Sequence, residues 1–529
     1  MLNEINIIVH IDTYINIILK YYQDVSNNSR DRKGEFIMAY KGFAIDNYLD
    51  AEKVTKELDE LIKKPVHSIK KEYLDEYIEE YFNKKCTKSK EMIDEAKNII
   101  PGGVQHNLAF NYPFPIVITK AEGAKLYDVD GNWYYDLLQA GGPTILGSNP
   151  PKVREQVIEL LNTCGPSTGL FHEYEYKLAK KISDMVPSVD MFRMLGSGTE
   201  ACMVAARIAR LKTGKKNILK MGGAYHGWSD QLAYGIRVPG TKGMMSKGVP
   251  GFVFKHTDEF FPNDLNDLER KLWKNKFYGG TAAIYIEPMG PESGTRPVSK
   301  EFIKGTEELA HKYGALLIFD EVVTGFRIGN SGAQGYFGVD PDLTVFGKII
   351  AGGYPGAGGV GGHKDCMAYL GAGLDSSGKK VSKAMCGGTM AATPISCVAG
   401  YVALSEIEST NACEKAGRMG DRLTAGLQKS IKKYNLPFVA FNQGSICHLD
   451  NAGTMHFSVN LMKPWKIPNV LKETGIRQKE MEHMGAAYMA EGIVTLAGSR
   501  LYTSAAYTEE MVDDLLVRFD RVFSKCGQI

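Results

Sequence analysis

A chain of 529 residues with 44% hydrophobic and 23% charged residues has the composition of a globular protein, which excludes a disordered or fibrous one. Lys and Arg number 63 against 61 Asp and Glu, so no bulk charge points to nucleic acid or an anionic membrane surface. Nine cysteines without a single C-x-x-C read as reduced thiols of a cytoplasmic protein, not as a disulfide framework or a metal centre.

The stretch Met1–Tyr22 is apolar in patches, but Glu4 and Asp12 interrupt it and no basic segment precedes it. That pattern fits neither a signal peptide nor a membrane span. Lys33-Gly34-Glu35 can be encoded by a bacterial ribosome-binding sequence a short distance ahead of Met38. Residues 1–37 are therefore expected to be an over-called extension, with Met38 the natural start. From Asp46 to Ile99 apolar residues recur at three- and four-residue intervals among Lys and Glu, and Pro65 interrupts them. Residues 38–98 are expected to form an accessory helical region with a solvated charged face.

After Pro101-Gly102-Gly103 the pattern turns strand-like. Ala124–Val129 and Trp133–Leu138 flank Asp130-Gly131-Asn132, a hairpin signal. Between 151 and 405 apolar strands alternate with helical stretches: Met191–Leu195, Asn217–Met221, Ala282–Ile286, Ala315–Phe319 and Leu343–Phe346. The expected fold is α/β with a mostly parallel sheet, whose ligands sit beyond the carboxyl ends of the strands. From about 406 the chain reads as a smaller α+β domain.

Four clusters carry chemistry, each with a plainer alternative. Gly196-Ser197-Gly198-Thr199 links a strand end to a helix start, a place for phosphate or simply a helix cap. Tyr225-His226-Gly227 follows another strand, where the ring of Tyr225 can stack on a planar ligand or fill core. Asp320 and Glu321 end an apolar strand; a carboxylate there is poorly solvated and needs a cation, such as a protonated pyridine nitrogen. Mg²⁺ is the rival, but the chain has no G-x-x-x-x-G-K-[ST]. Lys348 ends the apolar strand before it, where desolvation makes an amine a better nucleophile, unless it snorkels. Gly356–Gly361 matches G-x-G-x-x-G in form, but no convincing helix or spaced acidic residue supports a dinucleotide site. Phosphate, planar ring, pyridinium partner and imine-forming lysine together describe pyridoxal 5'-phosphate.

Ser197-Gly198-Thr199-Glu200-Ala201, Tyr225-His226-Gly227, Phe319-Asp320-Glu321-Val322-Val323-Thr324-Gly325-Phe326-Arg327, Pro341-Asp342-Leu343-Thr344, Gly347-Lys348 and Gly388-Thr389 occur in this order. From Ile99 to the last residue the chain resembles the class III, fold type I aminotransferases that depend on pyridoxal phosphate. It is most similar to their glutamate-1-semialdehyde 2,1-aminomutase branch. The resemblance implies a small domain formed by 99–150 and 406–529 around a large cofactor-binding domain, 151–405. It gives Lys348 the Schiff base and the proton shuttle, Asp320 the pyridine nitrogen, and Val322 and Tyr225 the two ring faces. His226 lies nearby, Ser197, Gly198 and Thr199 hold the phosphate, and Thr389 reaches the phosphate of a neighbouring subunit. A homodimer with shared sites follows.

The chain also departs from that branch. Gly196 stands where Asn is common, and Thr393 replaces an Asn before Pro394. Near Ala109, where the branch places an arginine for the substrate carboxylate, none is present. Arg500 is a candidate substitute or a surface arginine, and Glu292, in place of Asn, adds a negative charge near the substrate. A missing cation and an added anion both disfavour a dicarboxylate-like substrate. The expected activity is transfer of an amino group between an amine or amino acid and a carbonyl acceptor. The alternatives are an intramolecular aminomutase, a racemase or epimerase, and a non-catalytic cofactor-binding module.

Overall fold

The Lys- and Glu-rich region after Asp46 folds as three short helices, Ala51–Leu61, Lys71–Tyr77 and Thr87–Ala96. They belong to a computed structural model that describes residues 42–371, 374, 377–459, 465 and 467–529; the expected extension 1–37 and the start at Met38 lie outside these. Asp50 caps the first helix by accepting from the Lys53 amide at 2.9 Å. Val54, Leu58 and Leu61, spaced to share a face, pack on Val439 and Phe441. Strand β1 (His67–Ile69), in a region expected to be wholly helical, pairs antiparallel with Cys526–Gln528. Three residues leave no readable period, and the partner lies at the other end of the chain.

The Asp-Gly hairpin forms within β2 (Ile118–Glu122), β3 (Lys125–Asp128) and β4 (Trp133–Asp136), with Leu126 opposite Tyr134. Asp128 holds its turn by accepting from the amides of Asp130 and Asn132. Gly131 takes the left-handed conformation there, φ +90°. Ile493–Val494 adds to β4 in parallel, so residues distant in sequence share this sheet.

The central strands are β5 (Met191–Leu195), β6 (Asn217–Met221), β7 (Thr257–Phe260), β8 (Thr281–Ile286), β9 (Leu316–Asp320), β10 (Leu343–Gly347) and β11 (Gly358–Gly362). They form a seven-stranded sheet in the order β5-β11-β10-β9-β8-β6-β7. Parallel pairing runs from β10 to β7, and β11 is antiparallel to both neighbours. Both faces are covered, which explains the continuous apolar runs. Ile218, Ile318 and Val345 meet the helix Gly198–Thr213 through Ala201, Ala205 and Ile208. Leu219, Leu317 and Phe319 point the other way, onto Leu268, Phe302 and Ile303.

Strand β11 explains the glycine run. A Cβ on Gly358 would lie 2.2 Å from the Ser197 carbonyl carbon, and one on Gly362 would lie 2.4 Å from the Asp342 oxygen. Glycine here lets backbone approach backbone, and only the short helix Lys364–Met367 follows. Among the described residues, no helix is long and apolar enough to cross a membrane.

Candidate active site

Strands β9 and β10 run side by side in parallel, so their carboxyl ends bring Asp320 and Lys348 to one edge of the sheet. Asp320 is only 5% exposed. Its Oδ2 lies 2.7 Å from His226 Nδ1 and its Oδ1 accepts from the Val322 amide at 3.0 Å. The Cys202 thiol approaches at 3.6 Å, and burial pushes its pKa well up, so it stays a donor. His226 is fully buried and burial pushes its pKa down, which keeps the ring neutral. The 2.7 Å bond assigns the proton to Nδ1, leaving Nε2 without a partner among the described residues. Asp320 is thus a buried carboxylate held by neutral donors, with no Lys or Arg within ion-pair distance among the described residues.

Ser197 caps the helix Gly198–Thr213, accepting from the Glu200 amide at 3.2 Å. The amides of Gly198 and Thr199 lie in that first turn, where N–H groups have no intrahelical partner and can bind an anion. Side chains are cleared from the space around them. A Cβ on Gly198 or Gly347 would lie 2.9 or 2.8 Å from the Val322 methyls, and one on Gly227 would lie 2.4 Å from Thr199 Oγ1. Gly227, at φ +80°, lets the Tyr225-His226 turn press against the helix start. Tyr225 itself is half exposed.

Lys348 sits at φ +51°, and its Nζ donates to the Gly141 oxygen at 2.5 Å. Burial, reinforced by the charges of Arg500 and Arg327, pushes its pKa down to about 8, while Asp320 and Glu287 oppose the shift. The accepting loop, Gln139 to Gly142, has four consecutive positive φ angles. Arg327, fully buried, fastens it by donating to the Gly142 oxygen at 2.8 Å and to Gln139 Oε1 at 3.0 Å.

Sequence reasoning missed Glu287. It follows β8 directly and accepts from the amides of Tyr225 (2.9 Å), Glu292 (3.0 Å) and Ser293 (2.7 Å). Burial, with Asp320 and Glu292 nearby, pushes its pKa up to about 8. The signal was the one that marked Asp320, a carboxylate ending an apolar strand. Through Glu287 the Tyr225 turn and the strained Glu292-Ser293 turn, both residues at positive φ, become one unit.

Glu292 and Arg500 meet as an ion pair, Oε2 to Nη2 at 3.1 Å, and Arg500 Nη1 also donates to the Glu292 backbone oxygen at 3.2 Å. Arg500 is therefore no free surface arginine, and the negative charge that Glu292 brings is balanced. Both line a cavity of about 460 Å³ with Phe110, Arg237, Met455 and Met481. Thr389 lines a different cavity, of about 610 Å³, with Leu170 and Phe171.

The pattern of the class-III aminotransferase family matches residues 108–491. This chain is a class-III aminotransferase. Two relatives are 39% identical: the glutamate-1-semialdehyde 2,1-aminomutase 1 of Lachnoclostridium phytofermentans over 372 residues (68% of this chain, 83% of the relative) and that of Macrococcus caseolyticus over 370 (68% and 82%). Among solved structures, an omega-transaminase from Sphaerobacter thermophilus matches with a TM-score of 0.71 at 26% identity, covering 84% of this chain and 99% of that one. A β-phenylalanine aminotransferase from Variovorax paradoxus shares the fold at 23% identity, TM-score 0.72, covering 88% and 97%.

A class-III aminotransferase uses pyridoxal 5'-phosphate, and the residues here fit that cofactor. Asp320 is a buried carboxylate with no Lys or Arg within ion-pair distance among the described residues, Lys348 is an amine with a lowered pKa, and the helix start offers its first-turn amides beside Val322.

Proposed function

We propose that this aminotransferase moves an amino group from an amine or amino acid donor to a carbonyl acceptor, with Lys348 as the covalent anchor and proton carrier. The observation that carries the reading is Lys348 and Asp320 on adjacent strand ends, the one an amine with a lowered pKa and the other a buried carboxylate with no Lys or Arg within ion-pair distance among the described residues. Pyridoxal 5'-phosphate, when bound, supplies an electron sink for the carbon that bears the amino group.

The chain's own groups do the rest. Asp320, oriented by His226 and the Val322 amide, holds the pyridine nitrogen protonated. Val322 and Tyr225 bracket the ring, and Ser197, Gly198 and Thr199 hold the phosphate at the helix start. Lys348, its Nζ held by the Gly141 oxygen, takes a proton from the substrate carbon and returns it to a neighbouring position. Arg500 and Glu292 shape the substrate end.

We further assign Thr389 to the phosphate of a second subunit. Leu170 and Phe171, which share its cavity, are 79% and 78% exposed, an apolar surface suited to cover by another copy. All nine cysteines are free, which suits the cytoplasm. A second reading, an intramolecular aminomutase, is favoured by the names of the 39% identical relatives.

The test is the visible absorption of the purified protein, loaded with pyridoxal 5'-phosphate, while amines are added singly. A lysine-linked band that one amine bleaches, and that only an added keto acid restores, is the expected result. Turnover of glutamate-1-semialdehyde with no second substrate would favour the mutase. Absence of the band with the cofactor in excess would mean that Lys348 is not the covalent anchor.

A further inference from the structure

We propose that Arg237 is the specificity-determining cation of this site, gripping a carboxylate at the far end of an amine substrate whose apolar middle lies along the cavity's methionines. The proposal rests on the aminotransferase reading above. It begins from charge accounting within the cavity of about 460 Å³ that Arg237 shares with Glu292 and Arg500. Each acidic residue on that wall already has partners. Glu292 pairs with Arg500, Asp450 accepts from the amides of Ala452 (3.0 Å) and Gly453 (2.5 Å), and Glu482 accepts from Gln478 Nε2 at 3.3 Å. Arg500 is spent on Glu292. Arg237 has no carboxylate partner among the described residues, so it is the cation on this wall left for a ligand.

Its backbone makes the same point. Arg237 stands at φ +63°, a left-handed conformation that favours glycine. Its amide donates to the Gly223 oxygen at 3.0 Å, and Gly223 donates to the Gly235 oxygen at 2.7 Å, so the turn is pinned where strain is costly. Beneath it, Lys220 is fully buried and donates to the oxygens of Ala224 (2.7 Å), Leu232 (3.3 Å) and Tyr234 (2.6 Å). Glu259 on the next strand accepts from the amides of Gly240 (2.9 Å) and Lys242 (2.7 Å). Two buried charges thus clamp the segment from Ala224 to Lys242 on both sides of Arg237. A non-glycine residue held at positive φ by such a clamp has a fixed backbone, which sets where its exposed side chain starts at the cavity rim. Arg237 lines this cavity together with Arg500, whose charge also bears on Lys348.

The cavity suits an extended ligand. Phe110, Met245, Met455, Met481 and Met489 line it, and a second apolar cavity of about 290 Å³ shares Asn111 and Met489 with it. Flexible thioether walls accept chains of varied shape. Near Ala109, where the resembling branch has an arginine, the chain offers no cation, and Arg237 supplies one to the same cavity as Asn107 and Phe110.

The test pairs ligands that differ only in charge. Binding of hexanoate and hexanamide to the loaded enzyme is measured by calorimetry, and turnover of 6-aminohexanoate is compared with that of hexylamine. Arg237→Gly is the main variant, because glycine relieves the backbone and folding is not in question; Arg237→Lys is the conservative control. In the wild type the carboxylates should be preferred. Arg237→Gly should weaken hexanoate binding and raise the 6-aminohexanoate KM by on the order of 10- to 100-fold, with hexanamide and hexylamine unmoved and Arg237→Lys in between. A wild type indifferent to charge overturns the proposal. So does a preference that survives in Arg237→Gly and vanishes in Arg500→Gln. Carboxylate binding lost in Arg237→Gly without turnover of any amine would leave the Arg237 site standing and remove the aminotransferase reading instead.

Discussion

Around Asp320 and Lys348, bare glycines let backbone and side chains close in: a Cβ on Gly358, Gly227 or Gly347 would meet a neighbour at 2.2, 2.4 or 2.8 Å. Across the site, the cavity of Arg237, Glu292 and Arg500 is walled by methionines and strained turns brought from distant parts of the chain. The cofactor side is set on strand ends, so its geometry is inherited from the sheet. The proposed substrate side hangs on loops, held by clamps such as Glu287 and Lys220. One side fixes a chemistry shared by many enzymes, and the other is free to choose what reacts.

If that division holds, the largest loss comes from the cofactor side. Lys348→Ala should remove the lysine-linked absorption band and lower turnover by at least about 10⁴-fold, because a proton carrier and a covalent anchor leave together. Asp320→Asn should keep the fold and the band but cost on the order of 10³-fold in kcat, since a neutral amide no longer favours a protonated ring nitrogen. Were Asp320→Asn nearly silent, the buried carboxylate would be a packing feature and the contrast between the two sides would fail at its centre.

Stability should follow the same line. Gly358→Ala drives a methyl group into the Ser197 carbonyl and should cost about 3 kcal/mol or more, seen as a large fall in Tm together with weaker cofactor retention. Met245→Leu, on the opposite wall and 45% exposed, should cost well under about 1.5 kcal/mol while changing the preferred length of the donor. Equal losses from the two would mean that the substrate wall is packed as tightly as the cofactor seat.

The two sides were not equally legible in the sequence. Runs such as Asn217–Met221 and Leu343–Phe346 announce buried strands because both of their faces are covered. A charge placed straight after such a run, Asp320 or Lys348, stands out because desolvation is costly. Glu287 carries the same mark and could have been found by the same rule. Strand β11 could not, because its glycines have low strand propensity and their reason appears only when Ser197 is seen pressing on them. The Glu292–Arg500 pair joins positions 208 residues apart, and nothing local in either segment names the other. Arg237 reads as an ordinary surface arginine and is exposed; its left-handed backbone and the clamp around it are visible only in the structure.

The smallest expected effect links the two sides. Lys348, with its pKa pushed down to about 8, is mostly ammonium below that pH and mostly free amine above it. Only the amine can attack an aldehyde, so covalent capture of pyridoxal 5'-phosphate by cofactor-free protein should accelerate about tenfold between pH 7 and 9 and then level off. Part of the shift comes from Arg500, which is tied to Glu292 on the substrate side. Removing the positive charge in Arg500→Gln should let the Lys348 pKa rise and move the capture profile to higher pH. Removing the partner in Glu292→Gln leaves Arg500 uncompensated and should move the profile to lower pH. Opposite displacements from the two variants would show the substrate pair tuning the catalytic amine through space. Profiles that stay at about 8 in both would mean burial alone sets that pKa, and the substrate loops then act on what binds and not on how Lys348 reacts.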